Sequence, residues 1–254
     1  MPTKMIWKKV FSDFWAAKSK TGLALFALFI GAWGLTSVVY TYYISKQNLH
    51  DNYMRTNPAS VILKIAAPDS NLIKQVSELT YVSDIEIRMN AGARIWQKTK
   101  QWMPISIFSV QRFGKQTINT FRIEAGKYPT KGQLIIERDG ARYLEGDVSF
   151  LQLQQNKEVN LKLTGTVHDP GLPPSHMENA VWGYVTPETF KQLFPMDTET
   201  RLLVKFTGNE PELLSIQKNT EQLIKFITKN GGTVTRFDIP PPGKHPHEGQ
   251  LQSL

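Results

Sequence analysis

The sequence predicts an α+β fold: an N-terminal transmembrane helix followed by an extracytoplasmic split β-α-β lobe with an inserted, mainly-β lobe. Three observations carry this. Residues 21–44 run for 24 positions without a charge, and none occurs until Lys46. Alternating apolar runs flank amphipathic helical stretches twice, at 61–89 and at 202–238. Between those two units, short alternating runs are separated by glycine and proline turns, as a mainly-β segment requires.

A helix over 21–44 is roughly 36 Å long at about 1.5 Å per residue, enough to cross a hydrocarbon core of about 30 Å with some tilt. Gly22, Gly31, Gly34 and Ser37 would weaken a water-exposed helix. In lipid the backbone must bond internally, and small residues permit close packing. The run is too long and uncharged for an ordinary buried helix. Its outer end carries Tyr40, Tyr42 and Tyr43, where a signal peptidase needs small residues, so 21–45 reads as a retained anchor. Trp33 and the three tyrosines are the candidate membrane-anchor residues, the tyrosines as an interfacial belt.

Lys4, Lys8, Lys9, Lys18 and Lys20 precede the span against one acid, Asp13. This positive-inside signal places residues 1–20 in the cytoplasm and the chain after Lys46 outside, across a bacterial cytoplasmic (inner) membrane. Ile6, Trp7, Val10, Phe11, Phe14 and Trp15 recur at helical spacing. They predict an amphipathic helix on the inner membrane surface, turning into the span near 19–22.

The formal charge of +8 includes no dense Lys/Arg run outside the N-terminus, which excludes a nucleic-acid surface. With no cysteine, thiolate chemistry and disulfides are excluded. The roughly 200 residues after the span suffice for a sizeable core.

In order, residues 47–58 continue the helix outward until Asn57-Pro58 breaks it. Val61, Leu63 and Ile65 alternate as a strand. Asp69 caps a helix whose apolar face is Leu72, Ile73, Val76 and Leu79. Ile85, Ile87 and Met89 oppose Asp84, Glu86 and Arg88 on the next strand, and 93–98 forms a further one. Around 102–110 the pattern blurs into a crossing between lobes. Short strands follow at 121–125 and 134–137, joined through a turn at 126–132, then a brief helix at 139–144 and strands at 148–153 and 159–167. The proline-rich 169–175 is loop. A strand at 181–185 leads to a helix capped by Thr186 with Pro187 in its first turn. The strand 202–206, a helix striped by Leu213, Ile216, Thr220, Leu223, Ile224 and Ile227, and the strand 233–238 close the fold. The expected division is therefore 1–20 surface helix, 21–45 span, 58–101 with 200–239 as a membrane-near α+β lobe, 102–199 as the inserted distal lobe, and 240–254 as a Pro-rich linker.

No catalytic or metal set emerges. The chain has no GxxxxGK[ST], GxSxG or HExxH motif. His245 and His247 are the one close histidine pair, two imidazoles without a thiolate or carboxylate cluster, and the flanking prolines account for the run as a stiff linker. Glu137, Asp139 and Asp147 fall at strand ends and turns, where acids collect routinely. His168-Asp169 lacks a nucleophile placed by any motif. Trp96, Trp102, Phe108 and Phe113 read as core rather than ligand surface. The expectation is a protein without catalytic residues, metal or cofactor.

The order of features resembles the N-terminal part of an ABC-transporter permease of the FtsX/MacB-like family: a basic surface helix, a first span, a β-α-β domain split by an inserted lobe, and a Pro/His run. The best-matching pieces are FRIEAG at 121–126 with GQLIIE at 132–137, YLEGDV at 143–148, GYVTPETF at 183–190 and IPPPGKHPH at 239–247. The resemblance implies a noncatalytic component of an export or mechanotransmission system. Its partners would be the remaining permease spans or a second permease subunit, a cytoplasmic ATPase, and an extracytoplasmic protein. The family continues into further spans, so Pro242, His245, Pro246 and His247 would form the linker toward a second span. The alternative is a standalone membrane-tethered extracytoplasmic binding or scaffold protein.

Overall fold

The computed structural model describes residues 3–66, 68–153, 156–195, 199–208 and 212–246. The chain forms two compact units, one up to Asn48 and one from Leu49 onward.

The first unit holds α1 (Thr3–Ala16) and most of α2 (Lys18–Met54). The turn between them falls at Ala17 rather than at the expected 19–22. Ser19 and Gly22 are absorbed into α2, because a helix of 37 residues tolerates a glycine costing about 1 kcal/mol relative to alanine. Among the described residues α2 is the one helix long and apolar enough to cross a membrane. Leu23, Phe26, Leu28, Phe29, Trp33 and Leu35 are all exposed, so no protein core covers the segment. A surface apolar on every side needs lipid as its solvent. The lysine surplus before it leaves the following unit extracytoplasmic.

The outer unit is built around a ten-stranded sheet in the order β10-β1-β9-β2-β3-β8-β5-β7-β4, with β6 against β2 and β7. The strands are β1 (Val61–Ala66), β2 (Val82–Trp96), β3 (Trp102–Ser109), β4 (Arg122–Gly126), β5 (Gln133–Glu137), β6 (Val148–Gln152), β7 (Glu158–His168), β8 (Val181–Val185), β9 (Glu199–Phe206) and β10 (Thr233–Asp238). The helices are α3 (Ser70–Ser77), α4 (Ser175–Glu178), α5 (Pro187–Leu193) and α6 (Leu213–Lys229). The brief helix expected at 139–144 is a single 3-10 turn, Gly140–Tyr143.

β10, β1, β9 and β2 pair antiparallel throughout, and with α3 and α6 they give a split β-α-β arrangement of ferredoxin-like order. One face of this sheet packs on the helices through Val61, Leu63, Leu202 and Val204 against Val76, Ile216, Leu223 and Ile227. Asp69 occupies the N-cap of α3, but its side chain makes no capping hydrogen bond. Thr186 does cap α5, accepting from the Thr189 amide at 3.3 Å.

The inserted segment forms a closed barrel. β2 pairs β3, β3 pairs β8, β8 pairs β5, β5 pairs β7, β7 pairs β6, and β6 returns to β2 at Arg94 and Ile95. Its interior holds Ile95, Met103, Ile105, Ile107, Leu134, Ile136 and Leu151, and α5 adds Phe190 and Leu193. Two expectations are corrected here. The separate strands anticipated at 84–89 and 93–98 are one 15-residue strand, β2, which passes from β9 to β3 at Asn90. The stretch read as a crossing, 102–110, is strand β3, with Met103, Ile105, Ile107 and Ser109 buried in strict alternation.

Gly126, the glycine of the FRIEAG motif, ends β4 at φ +82°, and a Cβ there would collide with the Thr164 carbonyl oxygen. It pairs with Gly165, where a Cβ would meet the Ala125 carbonyl oxygen in turn, so the position needs glycine for a close approach of two backbones as well as for its positive φ.

Candidate functional site

The outer end of α2 is fastened from several directions. Tyr53 is buried, and after it the Thr56 amide and hydroxyl both donate to the Tyr53 carbonyl, at 2.9 and 2.7 Å. Asn57 takes φ +52°, a conformation that asparagine tolerates, and Pro58 prevents the helix from resuming. The next residues lock into the sheet: Ser60 N–H donates to the Val204 carbonyl (2.8 Å), and Lys205 Nζ donates to the Pro58 carbonyl (2.9 Å).

The loop between β3 and β4 runs beside this exit. The Thr120 amide donates to the Thr56 carbonyl (2.7 Å) and the Asn119 amide to the Asn57 carbonyl (3.1 Å). Asn57 Nδ2 donates to the Thr117 carbonyl (2.6 Å), and Asn119 Oδ1 accepts from the Ala59 amide (2.8 Å). Ile118, fully buried, packs with Ala59 and Leu203 on the sheet face away from the helices. Arg88 pins the same loop from β2. Its Nη2 donates to the carbonyls of Ile118 (2.9 Å) and Asn119 (2.8 Å), while Nε pairs with Glu86 at 2.9 Å. A buried guanidinium is tolerable only when its donors are used in this way.

A second loop meets the site from the barrel. Asp169 is buried, accepting from the Tyr184 hydroxyl at 2.5 Å and from the Gly171 amide at 2.9 Å. Burial pushes its carboxyl up despite the Tyr184 hydrogen bond and the Arg88 charge. Burial, followed by the Asp169 charge, pushes the Tyr184 phenol well up as well. His245 comes from the C-terminal run, with Nε2 2.6 Å from the Pro170 carbonyl and its ring edge-on to Tyr53 at 5.0 Å. Since a carbonyl only accepts, Nε2 carries a proton. A cavity of about 220 Å³ lies among these groups, bounded by Tyr53, Arg88, Asp169, Tyr184, Arg201 and Asp238 with apolar walls.

Of the residues singled out from sequence, Trp33, Tyr40, Tyr42 and Tyr43 lie along α2 with exposed side chains, as do Lys18 and Lys20. Lys4, Lys8 and Lys9 lie in α1, where Lys8 and Lys9 are exposed. His245 enters the site, Pro246 lines its cavity, and Pro242 lies in the same run. His247 is outside the described residues. Arg88 and Asn119 carry no motif, Tyr184 falls in the GYVTPETF piece and Asp169 in the His168-Asp169 pair, but the role of each is recognisable only through its partners. Among the described residues no group of three or more His, Asp or Glu is placed to hold a metal.

Two of the acids weighed earlier, Glu137 and Asp139, have structural work. Glu137 accepts from the Asp139 amide at 2.7 Å, and Asp139 pairs with Arg142 and with His176 (2.8 Å). Burial raises the Asp139 carboxyl, but the His176 hydrogen bonds and the Arg142 charge outweigh it, and the group sits below its ordinary value. His168 Nδ1 lies 3.8 Å from Glu137, while Asp169 is engaged with Tyr184. Trp96 and Trp102 pair edge-on at 5.0 Å, and Phe108 and Phe113 join the Phe121–Tyr184 cluster.

Fold and site together define a membrane-anchored chain whose outer unit is a split ferredoxin-like lobe carrying a closed barrel. No known family matches the sequence, and no curated relative does. Among solved structures the chain is similar to the periplasmic region of MacB from Actinobacillus actinomycetemcomitans, at 9% identity and TM-score 0.44 over 72% of this chain and 91% of that one. It is also similar to the extracellular domain of the noncanonic ABC-type transporter YknZ from Gram-positive bacteria, at 11% identity and TM-score 0.47 over 71% of this chain and 100% of that one.

Proposed function

We propose that the chain is a noncatalytic membrane component of an ABC-type export or mechanotransmission system, contributing a first span and the extracytoplasmic domain of a permease. The observation that carries this reading is the fastening of residues 56–59 to loop residues 117–120 by main-chain and side-chain hydrogen bonds. A displacement of the helix end is passed to that loop without a flexible link, and through β3 and β4 to the barrel. The anchored topology and the ordered sequence motifs support the same role. In this scheme a cytoplasmic ATPase supplies the work, and remaining permease spans or a second permease subunit complete the membrane part. The lobe formed by 58–101 and 200–239 is the membrane-near base, the lobe 102–199 offers a surface to an extracytoplasmic protein, and 240–254 leads toward a second span.

The test is chemical cross-linking of the tagged chain in its native membrane, followed by purification and mass spectrometry. A P-loop ATPase and a polytopic permease subunit are the expected partners. An Asn57→Ala/Asn119→Ala variant should keep the complex but uncouple its ATPase rate from the outer domain. Recovery of the chain with neither an ATPase nor another spanning subunit would sink the reading.

A further inference from the structure

A separate cavity, of about 150 Å³, draws basic side chains from three parts of the outer unit. Arg55 comes from the stretch just after α2, Arg122 from β4 and His168 from β7. Arg122 and His168 are direct cross-strand partners, so their side chains stand together on one face. Asn52 and Thr120 add a carboxamide and a hydroxyl to the wall. The backbone beneath these groups is held in place. Arg55 precedes Thr56, whose carbonyl accepts from the Thr120 amide at 2.7 Å, and the pairing of β4 with β7 fixes Arg122.

Among the described residues no acid lines this cavity. Neither the Arg55 nor the Arg122 guanidinium makes a hydrogen bond or ion pair with any described residue, and the same holds for the Asn52 carboxamide and the Thr120 hydroxyl. His168 Nδ1 is enclosed and also lacks a hydrogen bond. The acids nearby do not neutralise the arginines. Asp51 lies one turn before Arg55 without pairing with it. Glu124 pairs with Arg138 at 3.1 Å, and Asp169 is buried against Tyr184. Glu137, 3.8 Å from His168 Nδ1, accepts from the Asp139 amide at 2.7 Å.

Two guanidiniums brought to one concavity without a counter-charge repel each other, and an anion between them reverses the sign. Each guanidinium offers a planar fork of donors that fits phosphate oxygens in pairs. Two such forks, with a carboxamide and a hydroxyl beside them, suit the three terminal oxygens of a phosphate monoester better than the two of a carboxylate.

We propose that this cavity binds a phosphate monoester group, held by the Arg55 and Arg122 guanidiniums with Asn52 and Thr120 as neutral donors. Two sources present that group, a soluble ester and a lipid headgroup, and the experiment separates them. The site does not depend on the chain being part of a permease.

The full chain in maltoside micelles is titrated by calorimetry at constant ionic strength, with empty micelles as the blank. Glycerol 3-phosphate is the soluble probe, and dihexanoyl phosphatidic acid carries the same head on two short acyl chains. Glycerol 3-phosphate should saturate one site per chain below about 10 mM, a range that captures weak small-ligand affinities. Arg55→Gln and Arg122→Gln should each weaken it about tenfold, the loss expected for a charge-assisted hydrogen bond. Both arginines are exposed, so the circular dichroism spectrum should not change. Arg112→Gln, which removes an exposed arginine from outside the cavity, should leave the affinity within about twofold. An affinity for the lipid probe about tenfold or more above that for the soluble one assigns the group to a headgroup, and a smaller difference assigns it to a soluble ester. Absence of saturable binding of both probes overturns the proposal. Unchanged affinity in both cavity variants overturns it as well, and so does an equal loss in Arg112→Gln, which would mean a diffuse attraction to positive charge.

Discussion

The ferredoxin-like lobe and the inserted barrel hide their sheets by different means. The four strands β10, β1, β9 and β2 leave β10 as an open edge and rely on α3 and α6 to cover one face. Much of β10 is polar and exposed, with Thr233, Thr235, Arg236 and Asp238 at the surface, which blunts that edge against pairing with another chain. The barrel instead curls until β6 rejoins β2, and within that ring no edge remains. Covering by helices is a local solution, because each helix lies beside the strands it follows. Closure is a long-range one, requiring residues 94–95 to meet 151–152.

The largest expected effect comes from removing the barrel. Asn90 and Glu199 are register partners on adjacent antiparallel strands, so a two-residue Asn-Gly turn can replace residues 91–198. Residues 58–239 so shortened should keep helical circular dichroism and a cooperative, though weakened, thermal transition. The weakening follows from losing Ile118 as cover and the carbonyls that hold Arg88. A chain that is unfolded at every temperature would show that the barrel is a necessary part of the other lobe.

Within the barrel, Phe190 is fully buried and fills the interior from α5. Phe190→Ala should cost about 3–5 kcal/mol in urea denaturation. In the other lobe, Val76 is fully buried and Ile224 packs at the margin of the same core. Val76→Ala and Ile224→Ala should each cost about 1–4 kcal/mol by the same measurement. A larger loss at Val76 than at Phe190 would reverse the ranking of the two cores.

The subtlest contrast is read against pH, between two carboxylates of the inserted segment. Asp169 has a raised folded value, so the stability it confers is present below the ordinary 3.8 and is lost as pH rises through that raised value. Asp139 has a lowered one, so its contribution is present above 3.8 and is lost as pH falls through the lowered value. Melting temperature against pH should therefore flatten on the high side in Asp169→Asn and on the acid side in Asp139→Asn. Curves identical to wild type in both variants would mean that neither carboxyl changes its proton affinity on folding.

Local signals made the helix-covered lobe readable. The uncharged run of α2, the stripes of α3 and α6 and the alternation of β1 and β9 each announce their element within a dozen or so residues. Thr186-Pro187 announces α5 and its cap in the same way. Residues 90–92, Asn-Ala-Gly, imitate a turn and hide the continuity of β2. Pro104 and apolar residues on both faces obscure β3. That proline is tolerated because the parallel pairing of β3 with β8 begins only at Ile105. The site was the least legible part. Tyr53, Arg88, Asn119, Asp169 and His245 are distant in sequence, and their roles arise from a meeting that no spacing records.

Asn90 has one further consequence. It pairs with Glu199 of β9 and with Phe108 of β3, so β2 contains no unpaired residue where one lobe hands over to the other. At about 3.3 Å per residue the strand is a beam roughly 50 Å long with no joint in its middle. A tilt imposed on one end becomes the same tilt at the other, and any bending must be taken up in the loops that flank the beam.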